Sequence, residues 1–141
     1  MDHSPPKSDN YKTFGMLRYH HGNEIRQVRS LWEMIYWILY PHLLYETVRI
    51  PYFDSLLKRD RVYITDFYDP ASFSIIEIKP SKYLHTLSDK AAATRALGYN
   101  YTVVDERFFK SIKTPELVTQ ILLCVINTKS LGTRLKWLKN S

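Results

Sequence analysis

The run Ile76-Glu77-Ile78-Lys79-Pro80 alternates apolar and charged side chains and then meets a proline, which confines this stretch to an extended strand with two unlike faces. On such a strand Glu77 and Lys79 project to one side, roughly 7 Å apart, while Ile76 and Ile78 turn to the other. Upstream, Arg61 to Phe67 is rich in β-branched and aromatic residues, and Tyr68-Asp69-Pro70-Ala71-Ser72 carries turn chemistry ahead of the extended stretch Phe73 to Lys79. The pair predicts a β-hairpin. Ten residues separate Asp66 from Glu77, so a loop of about five residues brings both carboxylates onto one face. Two carboxylates that close repel each other unless a cation sits between them, which argues for Mg²⁺ or Mn²⁺. Lys79 beside them suits the orientation of an attacking water or the neutralisation of a pentacovalent phosphate. A solvated strand face, on which Glu and Lys commonly alternate with Ile, produces the same pattern.

A third acid stands upstream. Arg29-Ser30-Leu31-Trp32-Glu33 leads into the apolar helical run Met34 to Leu39, which ends before Pro41. An ionised Glu33 among such neighbours is costly unless it is paired or binds metal. Ser30-x-x-Glu33 is also a capping box, in which the glutamate satisfies an orphan N–H at the helix start. The two roles are compatible. Arg26 and Arg29, one helical turn apart ahead of Glu33, suit a phosphate near the metal and equally suit pairing with Glu24 or Glu46.

In this order, Glu33, Asp66, Glu77 and Lys79 resemble the PD-(D/E)xK nuclease superfamily: a helix carrying Glu, a strand ending in Asp, a hairpin to E-x-K, then a helix and a further strand. Leu87–Leu97 and Tyr99–Val104 stand where those last two would be, and the resemblance covers about residues 26 to 110. More narrowly, Arg29-Ser30-x-x-Glu33, Tyr45-Glu46-x-x-x-Ile50-Pro51-Tyr52, Tyr63-x-x-Asp66-Phe67 and Ile76-Glu77-Ile78-Lys79-Pro80 are similar to two groups. One is the endonuclease subunit of heteromeric bacterial transposases, the other the head-completion nucleases of large tailed phages. Thr65 replaces the superfamily's proline before the aspartate, a substitution that leaves the metal role intact. The resemblance implies an α/β, restriction-endonuclease-like fold with a central mixed β-sheet of about four strands flanked by helices. It also implies metal-dependent cleavage of DNA phosphodiester bonds. Asp66, Glu77 and the Ile78 carbonyl would bind Mg²⁺ or Mn²⁺, Glu33 would bind a second ion directly or through water, and Lys79 would position or activate the nucleophile.

Length and charge agree with that expectation. A chain of 141 residues suits one domain able to bury a substantial core, and 45% hydrophobic with 14% aromatic residues excludes a disordered chain. A net charge of +6 and a pI near 9.4 favour a polyanionic partner. Cys124 is the sole cysteine, which excludes an intramolecular disulfide and a cysteine-based zinc cluster; within Ile121-Leu-Leu-Cys-Val-Ile126 it reads as a packed thiol. The first ten residues lack the apolar core of a signal peptide and no run of eighteen apolar residues follows, so the expectation is a soluble intracellular protein, in the host cytoplasm if it is viral. No phosphate-cradling glycine motif is present, no His-Asp arrangement accompanies a Ser or Cys nucleophile, and the adjacent His20 and His21 face opposite ways on a strand.

The remaining segments divide the chain into a polar arm over 1–13, a core over 14–113 and a helical extension over 114–141. Gly22-Asn23 is expected to turn the chain into the Glu33 helix, a strand is expected over Tyr45–Tyr52, and Asp54 to Asp60 reads as a charged loop. Ser88 or Asp89 is expected to cap a helix carrying Ala91-Ala92-Ala93, with Gly98 as its C′ residue. Asp105 suits an N-cap, and Thr114-Pro115-Glu116 opens a helix that is apolar over much of its circumference and should pack against the body or a partner. From Arg107 onward there are seven Lys or Arg and one acid, ending in a basic amphipathic tail. Arg134, Lys136 and Lys139 on that tail, with Arg26, Arg29 and Lys82, are the candidate DNA contacts; the tail is equally an ordinary solvated face. A homodimer, or a protein partner that directs cleavage, fits a double-strand break made by one site per chain. A DNA-binding or assembly protein keeping the fold without turnover is the competing expectation.

Overall fold

The computed structural model describes residues 16–126. Its elements in chain order are β1 (Leu17–His21), β2 (Glu24–Val28), α1 (Leu31–Leu39), β3 (Leu44–Tyr45), β4 (Arg49–Asp54), β5 (Arg59–Ile64), β6 (Phe67–Asp69) and β7 (Ser74–Ile78). A 3-10 helix (Ser81–Thr86), α2 (Ser88–Ala96), β8 (Asn100–Val104), α3 (Glu106–Ser111) and α4 (Pro115–Cys124) follow. The chain divides into two compact units, whose described parts are 42–108 and 16–41 with 109–126. No helix among the described residues is long and apolar enough to cross a membrane.

The 42–108 unit is mixed α/β. Its four-stranded sheet has the order β3-β6-β7-β8, with β7 and β8 parallel and the other pairs antiparallel. A parallel pair needs a crossover, and the 3-10 helix with α2 supplies it. Ala93 of α2 packs against a core of Ile50, Tyr63 and Ile75, together with Tyr68, Tyr99 and Tyr101; the alanine triplet allows that close approach. Gly98 follows the Leu97 cap at φ 94°, the left-handed conformation that closes a helix at C′.

The expected strand over Tyr45–Tyr52 is interrupted. Tyr45 lies opposite Phe67 and Arg49 opposite Ile64, so residues 46–48 face only 65 and 66. Glu46 absorbs the extra residue at φ 55°, and its N–H donates to the Asp66 carbonyl at 3.0 Å while Thr65 N–H donates to Val48 O at 3.1 Å. Below this bulge β4 and β5 form a separate hairpin, and the charged loop narrows to residues 55–58. Neither Ser88 nor Asp89 caps α2. The chain enters that helix from the 3-10 turn, with Leu87 already in helical conformation, and the Asp89 carboxylate instead accepts from the Ser55 N–H at 2.9 Å and its hydroxyl at 2.7 Å.

In the other unit, Gly22-Asn23 closes a two-residue β1–β2 hairpin, with His21 opposite Glu24 and Gly22 at φ 57°. The strand β2, and not a helix, therefore carries Arg26. Ser30 caps α1, accepting from Glu33 N–H at 3.2 Å, and Trp32 stacks on Phe109 with ring centroids 4.8 Å apart. Thr114 caps α4 through the Leu117 N–H, as the sequence predicts. This helix turns Leu117 and Ile121 inward and leaves Leu123 80% exposed. Its end meets β1, where Ile126 N–H donates to Arg18 O at 2.8 Å.

Candidate active site

Asp66 and Glu77 come together where the hairpin begins. The β6–β7 ladder ends where Phe67 pairs with Ile76, and Asp66 and Glu77 are the next residue of each chain segment beyond that pair. A four-residue tip, 70–73, separates the strands, and Asp69 holds it by accepting from the Ala71 N–H and the Ser72 hydroxyl. Both carboxylates are buried, at 2% exposure for Asp66 and 4% for Glu77. Asp66 Oδ2 accepts from the Ile78 N–H at 2.7 Å, a contact that ties the aspartate to the strand bearing the glutamate. The Glu46 bulge holds the aspartate's own carbonyl from the opposite side.

Tyr63 joins the two acids, a residue to which the sequence pattern gives no role at this site. Its ring belongs to the buried core, and its hydroxyl donates to Glu77 Oε1. Burial pushes the phenol well above its ordinary pKa, and the nearby Glu77 and then Asp66 carboxylates push it further. Both acids therefore border the same buried phenol. Burial also raises the Tyr101 phenol, again helped by Glu77. Its hydroxyl lies near that of Tyr63, which acts slightly in the other direction, yet among the described residues it finds no partner in hydrogen-bonding geometry. No pattern in the sequence signals that a tyrosine reaches a glutamate fourteen positions away.

Lys79 directly follows β7, half-buried, with its N–H donating to Val104 O at 3.0 Å. After it, the Ser81 N–H donates to Glu106 Oε1 at 2.8 Å and the Ser81 hydroxyl to Glu106 Oε2, fixing the chain beyond Pro80. Those two bonds hold the Glu106 carboxyl below the usual range. Lys82 is exposed on the 3-10 helix, with its ammonium 5.1 Å from the Tyr83 ring centroid.

Glu33, Arg26 and Arg29 belong to the other compact unit. Glu33 is buried in the 16–41 segment, where its N–H donates to the Ser30 hydroxyl and its Oε1 accepts from the Arg29 N–H at 3.1 Å, the amide one residue ahead of the cap. Arg26 pairs with Glu24, donates to Pro41 O at 2.9 Å and lies 4.1 Å over the Trp37 ring centroid. Arg29 is half-buried beside the cap. Arg134, Lys136 and Lys139 lie outside the described residues.

The donor set suits a hard divalent cation. Asp66, Glu77 and the Ile78 carbonyl could offer a cation oxygen donors alone, the kind that Mg²⁺ and Mn²⁺ prefer. Among the described residues no group of three or more His, Cys, Asp or Glu is arranged to hold an ion. No family model, curated protein or solved structure matches the chain.

Proposed function

We propose that the chain is a divalent-metal-dependent deoxyribonuclease of the PD-(D/E)xK type, with a restriction-endonuclease-like arrangement of its mixed sheet, serving a phage, virus or mobile element. The observation that carries this reading is the burial of Asp66 and Glu77 beside one tyrosine, Tyr63, with the aspartate tied to the Ile78 N–H of the strand that bears the glutamate and Lys79 two residues beyond that glutamate in the chain. Burying two carboxylates together is costly, and a fold retains such a pair most readily where their charge has work to do.

Asp66, Glu77 and the Ile78 carbonyl would hold Mg²⁺ or Mn²⁺, which when bound supplies charge neutralisation on the phosphate and a more acidic water. Lys79 would position the nucleophile and offset charge developing on the phosphate. Glu33 would serve a second ion in addition to its cap. Lys82, Arg29 and Arg26 would contact the DNA backbone together with the basic tail, in keeping with the net charge of +6.

The direct test is incubation of the pure protein with supercoiled, linear and branched DNA in Mg²⁺, Mn²⁺ or EDTA. Cleavage should require the ion and be lost in Asp66→Ala and in Glu77→Ala, because each removes a ligand. Undiminished cleavage in EDTA, or by both variants, sinks the reading.

A further inference from the structure

Resting on the metal-site reading above, we propose that Tyr63 is a positioning residue whose hydroxyl, donated to Glu77 Oε1, holds that carboxylate in the orientation that takes up the cation.

The bond joins strands that are not neighbours. Tyr63 lies on β5, which among the described residues pairs with β4 alone, whereas Glu77 lies on β7 between β6 and β8. The hydroxyl bridges them because the chain bends at Thr65 and Asp66, where the Glu46 bulge ends one ladder and the β6–β7 ladder begins. The tyrosine is a rigid support: its ring is packed with Ile50 and Ile75, and the Lys90 ammonium lies 5.0 Å from its centroid. A phenol is protonated throughout the neutral range, so the donor stands ready at working pH.

Glutamate needs such support more than aspartate does. Its longer side chain has more rotamers to lose when it binds an ion, and the Tyr63 bond removes that freedom beforehand. Asp66 has the equivalent support from the Ile78 N–H. The two acids are thus held by donors of different kinds, one a backbone amide that no side-chain truncation deletes and one a side-chain hydroxyl that a single substitution removes.

The experiment is Mn²⁺ binding to the full chain, followed by the loss of the free-ion paramagnetic resonance signal, in wild type and Tyr63→Phe. Loss of an outer-shell hydrogen bond to a ligand typically weakens metal binding about 10–100-fold, and that weakening is expected here. In parallel, the Mn²⁺ concentration giving half-maximal cleavage should rise, while kcat at saturating ion stays within a few-fold of wild type and the melting temperature within a few degrees. Equal Mn²⁺ affinity in the two proteins overturns the proposal, as does a fall in kcat with no change in the ion midpoint. If Tyr63→Phe does not fold, wild type labelled at tyrosine Cζ decides: Mg²⁺ should shift the Tyr63 resonance, and no shift at saturation overturns the proposal. A wild type that binds no Mn²⁺ defeats the metal-site reading itself, whereas a wild type that binds it no more tightly than Tyr63→Phe defeats only the role of Tyr63.

Discussion

Lys79 and Glu33 are single residues whose chemistry separates from their packing. Lys79→Ala should lower kcat by about 10²–10⁴, the range for a positioned proton-transfer or charge-stabilising group, with DNA affinity nearly unchanged. Turnover and binding measured on the same substrate check this; lost affinity with intact turnover would make Lys79 a phosphate anchor. Glu33→Gln keeps an oxygen able to accept the Arg29 N–H and so preserves the bonds at the helix start, but removes the charge an ion requires. Its melting temperature should therefore stay within a few degrees of wild type while most cleavage disappears. Retained cleavage would leave Glu33 as a cap alone.

At the level of elements, the β4–β5 hairpin is stapled to α2 by Asp89. The Ser55 amide, and then its hydroxyl, donate to this carboxylate and hold it below the ordinary aspartate value. A depressed acid contributes stability that is present above its unfolded pKa and lost as pH falls through the folded value. Between roughly pH 5 and pH 3 the wild type should lose melting temperature more steeply than Asp89→Asn, which keeps an acceptor oxygen but does not titrate there. Parallel acid limbs in the two proteins would contradict the staple. Thr114→Ala should destabilise the α4 unit by about 1 kcal/mol, since the Leu117 N–H loses its acceptor; thermal melts measure it.

For the whole chain, the positive excess is concentrated toward the C-terminal end. If Arg134, Lys136 and Lys139 follow the DNA, neutralising all three should weaken binding and make its salt dependence shallower by roughly 0.9 per phosphate contact in the log–log slope. Turnover at saturating DNA should survive, because uniform binding contributes equally to ground and transition states. Titrations of duplex at several salt concentrations give the slope, and an unchanged slope would turn attention to a protein partner for the tail.

The features that follow from residue order alone are local. The Ser30-x-x-Glu33 box, the Thr114-Pro115-Glu116 start, Gly98 after α2 and the Asp66-to-Glu77 hairpin each depend on residues within a few positions or on one short loop. Periodicity and capping chemistry act at that range, so the order of side chains is enough to specify them. The tertiary fold settled whatever joins distant residues: the Glu46 bulge that splits the β3 to β4 run, Asp89 given to Ser55 instead of to its own helix, and Tyr63 donating to Glu77. Each of these depends on which surfaces meet, and a hydrogen bond between strands or from helix to hairpin has no signature in the order of the residues that make it.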